Sequence, residues 1–187
     1  MTRNPALRDH VAAGLLDVAA AVLADRGEAA SMTDIAEAAG VARATLYRYF
    51  PSRDALVAAL TEAAFADLAE RIADARLDTV PAAEALARLT RAVVAATAKY
   101  RALGMFTKSP ETARKAEERM LGPVQALFRR GVDEGDFRTD LPAATLLEVY
   151  VALLEGAAAR VIAGRFGVEE ASSAMTAVFL DGVRSRS

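Results

Sequence analysis

Between Val41 and Arg53 the chain carries three cations, Arg43, Arg48 and Arg53, and no acid. Arg43, Ala44, Thr45, Tyr47 and Arg48 share the polar side of a short helical stretch whose inward anchor is Leu46. Long donors, a small residue, a methyl-bearing hydroxyl and a phenol suit the major groove of DNA. Arginine bonds guanine or phosphate, threonine a phosphate or a thymine methyl, and tyrosine a phosphate. Other chemistries find little material. The chain has no cysteine and a single histidine, His10, so disulfides, thiolate chemistry and zinc sites built from Cys or His are excluded. The neighbouring acids Glu117-Glu118 and Glu169-Glu170 point about 100° apart on a helix and form no acid–base pair. Neither a nucleotide-binding glycine loop nor a nucleophile–base arrangement is visible, so no catalytic residue, cofactor or metal is expected.

The elements that must position those groups can be read from spacing. Ala36 is small, Gly40 follows four residues later, and Leu46 six residues after that. This is the pattern of two short helices crossing steeply, with the glycine supplying a left-handed turn. Ile35 and Ala36 face the core, and Val41 packs back into it. The Thr33 hydroxyl is placed to cap the first of the two helices or to reach a phosphate. Upstream, Leu7, Val11, Leu15, Val18 and Val22 make one stripe on a first helix, with Asn4-Pro5 at its start and Gly27 at its end. Downstream, Ser52 caps a long helix, with Asp54 in its first turn.

The run TDIAEAAGVARATLYRYFPSRDAL resembles the signature of the tetracycline-repressor (TetR) family of regulators. The resemblance covers about a quarter of the chain and implies a DNA-binding transcription regulator acting on double-stranded DNA. By position it gives Thr33 and Tyr47 phosphate contacts. Arg43, Ala44 and Thr45 face bases or the adjacent backbone. Arg53 stands where the family often has a lysine, with its charge kept for a phosphate.

The whole is expected to be all-α, with about nine helices: a helix-turn-helix domain over 1–53 and a helical ligand-binding and dimerisation domain over 54–187. The 187 residues are 53% apolar and 26% charged with a formal net charge of −2, the composition of a soluble globular protein. No apolar run approaches the roughly 18 residues of a membrane span, and Met1–Arg8 lacks the apolar core of a secretion signal. The expectation is a cytoplasmic protein without a membrane partner. The net charge gives no sign of a polyanion partner; the basic signal is local.

Past the long helix, Pro81 opens the next one, with Leu86, Leu89, Val93 and Tyr100 inward. Ser109-Pro110 starts another, which Gly122-Pro123 should interrupt or kink. Asp140-Leu141-Pro142 begins a very apolar helix, and the last helix runs from Glu169 to Arg184. Leu146, Val149, Leu153, Gly156 and Ala157 on one of these two, with Ala174, Val178 and Phe179 on the other, form stripes suited to a homodimer, which would supply the second DNA half-site. The same stripes would serve as intrachain core. A pocket in the middle helices would be lined by Phe65, Tyr100, Met105, Phe106, Met120, Leu127, Phe128 and Tyr150, fitting an apolar or aromatic effector; aromatic and Met side chains at such spacing also serve as plain core. Arg101 and Arg160 are the cations on offer to an anionic group. The favoured reading is a repressor released by a small molecule. Its alternatives are a small-molecule-binding helical bundle and a ligand-independent regulator or activator.

Overall fold

The computed structural model describes residues 5–101, 103 and 110–184, without the side chains of 5–7 and 110–120. Eight α-helices occur among them: α1 (Pro5–Arg26), α2 (Met32–Ala38), α3 (Arg43–Tyr49), α4 (Arg53–Asp74), α5 (Ala82–Lys99), α6 (Pro110–Asp133), α7 (Ala143–Ile162) and α8 (Val168–Val183). A 3-10 turn, Gly27–Ala29, follows α1. The chain divides into two units, one holding the described residues of 1–66 and 99–109, the other 67–98 and 110–184. The change of unit thus falls inside α4, thirteen residues beyond its first residue.

In the first unit the core is Leu15 and Ala19 of α1, Ile35 and Ala36 of α2, Leu46 of α3, and Phe50 and Leu56 around the start of α4. A smaller cluster joins Ala20 and Leu23 to Leu60 and Leu103, with Tyr100 against it. The deepest side chains of α1 are therefore Leu15, Ala19 and Leu23, while Val18 and Val22 of the expected stripe are half-buried. Alanine lets a neighbouring helix approach so closely that the seam follows Ala19 and Ala20 and not the larger valines. The N-cap of α2 is Ser31 and not Thr33, which lies within the first turn.

The second unit is built around four rings. Phe128 lies 5.9 Å from Phe137, 5.3 Å from Tyr150 and 6.1 Å from Phe179, and Tyr150 lies 5.3 Å from Phe179. Leu86, Leu89 and Leu146 extend this core. The segment joining α6 to α7 is tied to the end of α8 by the Arg138 N–H, which donates to the Val183 carbonyl at 2.6 Å. The α4–α5 segment is held by guanidinium groups: Arg88 donates to the Ala75 carbonyl at 3.2 Å, and Arg130 to those of Leu77 and Val80 at 2.8 and 2.9 Å.

The expected interruption at Gly122-Pro123 is absent: α6 runs unbroken with Pro123 inside it. Both residues are on the exposed side, whereas Val124, Leu127 and Phe128 are buried. Packing of that face outweighs the one backbone hydrogen bond that proline forfeits. No helix among the described residues is long and apolar enough to cross a membrane.

Candidate nucleic-acid interface and effector cavity

The short helices α2 and α3 owe their positions to three local devices. At the start of α2, Ser31 and Asp34 form a reciprocal pair: Ser31 Oγ accepts from the Asp34 N–H at 3.1 Å, and Asp34 Oδ2 accepts from the Ser31 N–H at 2.8 Å. The Ser31 hydroxyl and N–H, with Arg26 beside them, hold the Asp34 carboxyl below its ordinary range. Between α2 and α3, Gly40 adopts φ +64°. Its N–H donates to the Glu37 carbonyl at 3.0 Å and that of Val41 to Ala36 at 3.0 Å, which satisfies two carbonyls at the helix end. After α3, the Ser52 hydroxyl accepts from the Ala55 N–H at 3.0 Å and starts α4.

On α3 only Leu46 is buried, and it is fully so. Arg43, Ala44, Tyr47 and Arg48 are exposed and Thr45 is half-exposed. The Arg43 guanidinium sits 5.8 Å from the Tyr47 ring and that of Arg48 5.5 Å from the Tyr49 ring, so each cation is stacked one turn or one residue along its own helix. These five side chains form one solvent-facing surface with two positive charges and no acid. Thr33 is half-buried on the first turn of α2. Arg53 is already engaged: its guanidinium donates to the Ala30 carbonyl and, at 3.3 Å, to that of Glu28. It ties the start of α4 to the 3-10 turn. The Ser31–Asp34 pair and the Arg53 clamp are the features that sequence reasoning missed. Ser-x-x-Asp before an apolar run carries a signal for the first; nothing local signals the second, whose partners lie more than twenty residues away.

The second unit contains a cavity of about 510 Å³ beneath α7, within the size range of small-molecule sites. Leu68 and Ile72 of α4, Leu89 and Val93 of α5, Val124 of α6, and Leu147, Tyr150, Val151 and Leu154 of α7 wall it. Thr97 and Glu155 are its polar side chains. Tyr150 is almost wholly buried, and burial pushes its phenol well above the ordinary range. The Thr90 hydroxyl donates to the Leu86 carbonyl at 2.8 Å, which leaves Tyr150 to donate to Thr90 Oγ1 at 3.0 Å.

Of the residues expected to line a pocket, Tyr150 is in this wall. Phe128 belongs to the ring cluster, and Leu127 lines a different cavity. Phe65 and Tyr100 fall in the first unit, Tyr100 against the Leu23 cluster. Met105, Phe106 and the Met120 side chain lie outside the described residues. Arg101 is exposed, and Arg160 donates to the Gly156 carbonyl at 2.9 Å; neither is in the wall.

The stripes on α7 and α8 divide. Leu146 and Phe179, at 2% and 3% exposure, are core of the chain itself and unavailable to a partner. Val149, Leu153 and Val178 stand out at 49%, 42% and 68% exposure, and Ala174 is exposed beside them. Gly156 and Ala157 are half-buried in a shallow groove that also carries Phe166. The two sets differ by one step on the helix: Leu146 and Tyr150 point inward, Val149 and Leu153 outward.

Residues 15–60 match the family described as bacterial regulatory proteins, tetR family. Over 90% of its length the chain is 30% identical to the HTH-type transcriptional regulator NfxB of Pseudomonas aeruginosa, covering 91% of that protein. It is 31% identical to the HTH-type transcriptional repressor KstR2 of Rhodococcus jostii, over 68% of each chain. Its fold superposes on the TetR family transcriptional regulator PfmR from Thermus thermophilus with a TM-score of 0.73 and 26% identity, covering 89% of this chain and 97% of the other. With the matched segment spanning α2, α3 and the start of α4, and the likeness to NfxB running nearly end to end, the chain belongs to the tetR family of DNA-binding transcriptional regulators.

Proposed function

We propose that the protein is a cytoplasmic, ligand-responsive repressor that binds a palindromic operator as a homodimer. The observation that carries this reading is the α3 surface: Arg43, Ala44, Thr45, Tyr47 and Arg48 exposed on a helix fixed by the buried Leu46. Arg43, Ala44 and Thr45 meet bases or the adjacent backbone, Tyr47 anchors a phosphate, and Thr33 reaches a phosphate from α2. Arg53 contributes charge near the backbone while its clamp on Glu28 and Ala30 sets the angle of α4. The exposed apolar face of α7 and α8, with Val149, Leu153, Ala174 and Val178, supports pairing of two chains. A two-fold dimer places its half-sites about one DNA turn, roughly 34 Å, or a small multiple apart.

The cavity beneath α7 supports an apolar or aromatic effector. Such a ligand releases DNA only by binding unequally to the DNA-competent and released states. That KstR2 is a repressor supports repression over activation. The test is a gel-shift titration against an operator selected from random DNA. Tyr47→Ala with Arg48→Ala should cost about 100-fold or more in operator affinity, two lost charge-assisted or phosphate contacts at about tenfold each, with the dimer intact by light scattering. Unchanged affinity in that variant overturns the reading.

A further inference from the structure

A second cavity, of about 630 Å³, lies at the far end of α4. Ala69, Ile72 and Ala73 of α4 and Ala126 and Leu127 of α6 form its apolar wall, and Arg76, Asp78 and Arg130 its polar side. It shares only Ile72 with the cavity beneath α7.

Its two guanidinium groups are under-used. Arginine has five N–H donors. Nη2 of Arg130 serves the carbonyls of Leu77 and Val80. Nε is buried without a hydrogen-bond partner; the Glu134 carboxylate, at 3.9 Å, is beyond hydrogen-bond reach. Nη1 bonds to no described residue. Among the described residues Arg76 is the non-glycine residue with positive φ, at +48°; its side chain is exposed and makes no hydrogen bond or ion pair with them. A buried donor such as Arg130 Nε, left unpaired, is costly. The wall itself carries two guanidinium groups and the Asp78 carboxylate, while the Glu134 carboxylate approaches Arg130 from the solvent side at 3.9 Å.

We propose that this cavity is a second small-molecule site, beyond the effector reading above, for an amphipathic monoanion: a carboxylate on a hydrocarbon or aromatic body. Arg76 and the Arg130 guanidinium, with its unpaired Nε, take the carboxylate, and the body lies along Ala69, Ala73 and Leu127. A cation is disfavoured by the two guanidinium groups, and a neutral chain gains only the apolar wall. Because Arg130 also holds the α4–α5 segment, occupancy stiffens the end of α4.

The test uses the full chain with ¹³C-labelled alanine methyl groups, titrated with sodium octanoate and, in parallel, with 1-octanol. Octanoate should shift the methyls of Ala69, Ala73 and Ala126, while octanol binds there at least about tenfold more weakly. Arg76→Gln should weaken octanoate about tenfold without lowering the unfolding midpoint by more than a degree or two. Ala126→Phe, which fills the cavity from an exposed position, should abolish the shifts and leaves a second variant should the first fold poorly. No shifts with octanoate, shifts confined to Ala158 and Ala159 beneath α7, equal affinity for octanol, or indifference to both substitutions each overturn the proposal. None of these outcomes touches operator binding by α3, so the two readings fail separately.

Discussion

The two units use their apolar residues in opposite ways. The first packs Leu15, Ile35, Ala36, Leu46 and Phe50 around two seven-residue helices and so presses Arg43, Tyr47 and Arg48 outward. The second gathers four rings in its core and leaves space unfilled, including cavities of about 510 and 630 Å³. Recognition in the first unit is a property of a surface, fixed by what is buried immediately behind it. Recognition in the second is a property of space left unfilled, fixed by which side chains from four helices fail to meet. A helix seven residues long has almost no stability of its own, so the first unit tolerates no slack. The second can give up contacts because its ring cluster is large.

The sharpest way to break this contrast is truncation of one leucine in each unit. Leu46→Ala removes a fully buried side chain and should cost about 3–5 kcal/mol. Leu154→Ala removes one at 8% exposure that already borders the cavity beneath α7 and should cost only about 1–2 kcal/mol, since atoms facing a void have fewer partners to lose. Urea midpoints of the two variants measure the difference. Equal costs would mean that the cavity wall is as tightly packed as the helix-turn-helix core.

The same contrast explains which features the sequence made legible. Ala36, Gly40 and Leu46 are spaced within one supersecondary motif, so their roles follow from chain geometry alone, and the motif's exposed face follows with them. Leu146 and Val149 lie three residues apart on one apolar helix, and nothing local says which of them a second helix covers; α8 and the rings decide it. Phe65 and Tyr100 are aromatic and fall in the expected middle of the chain, yet belong to the first unit. Pro123 reads as a break because its lost hydrogen bond is local and the packing that outweighs it is not. Ser31 escaped notice for a different reason. Thr33 is also a capping type, and only the reciprocal bond to Asp34 separates the two.

Two glycines sharpen the comparison at intermediate size. A Cβ on Gly131 of α6 would stand 2.4 Å from the Phe137 ring, and that ring is 1% exposed in the cluster. Gly131→Ala gains up to about 1 kcal/mol of helix propensity but incurs the larger cost of overpacking, a net loss of about 1–2 kcal/mol. At Gly40 a Cβ meets nothing within 4 Å, and the restriction is φ +64°. Gly40→Ala should cost about 1 kcal/mol. Asparagine, which tolerates the left-handed region, should recover part of that at position 40 and none of it at 131. Thermal melts of the four variants check the pattern: a larger loss from asparagine than from alanine at 40 would show that room, and not backbone conformation, limits the turn.

The smallest expected effect is set by the cap that starts α2. Asp34 is held below its ordinary value of 3.8 chiefly by the hydrogen bonds from Ser31, with Arg26 adding to them. A carboxyl depressed in the folded state releases its proton more readily there than in the unfolded chain, so it favours folding wherever it is ionised. Its contribution is complete above the unfolded value, near 3.8, and disappears as pH falls through the lower folded value. The stability of wild type should therefore exceed that of Asp34→Asn by a constant margin from neutral pH down to about pH 5. The margin should close as the pH drops below about 4. Arg26→Gln should narrow the same margin only slightly, because the first causes of the shift are the two Ser31 bonds. Salt separates the contributions, since it screens the exposed Arg26–Asp34 pair and leaves a cap hydrogen bond nearly untouched. A margin that vanishes in about 1 M salt, where the screening length falls to roughly 3 Å, would place the pH dependence on the ion pair and leave α2, in this respect, no different from the other exposed helix ends.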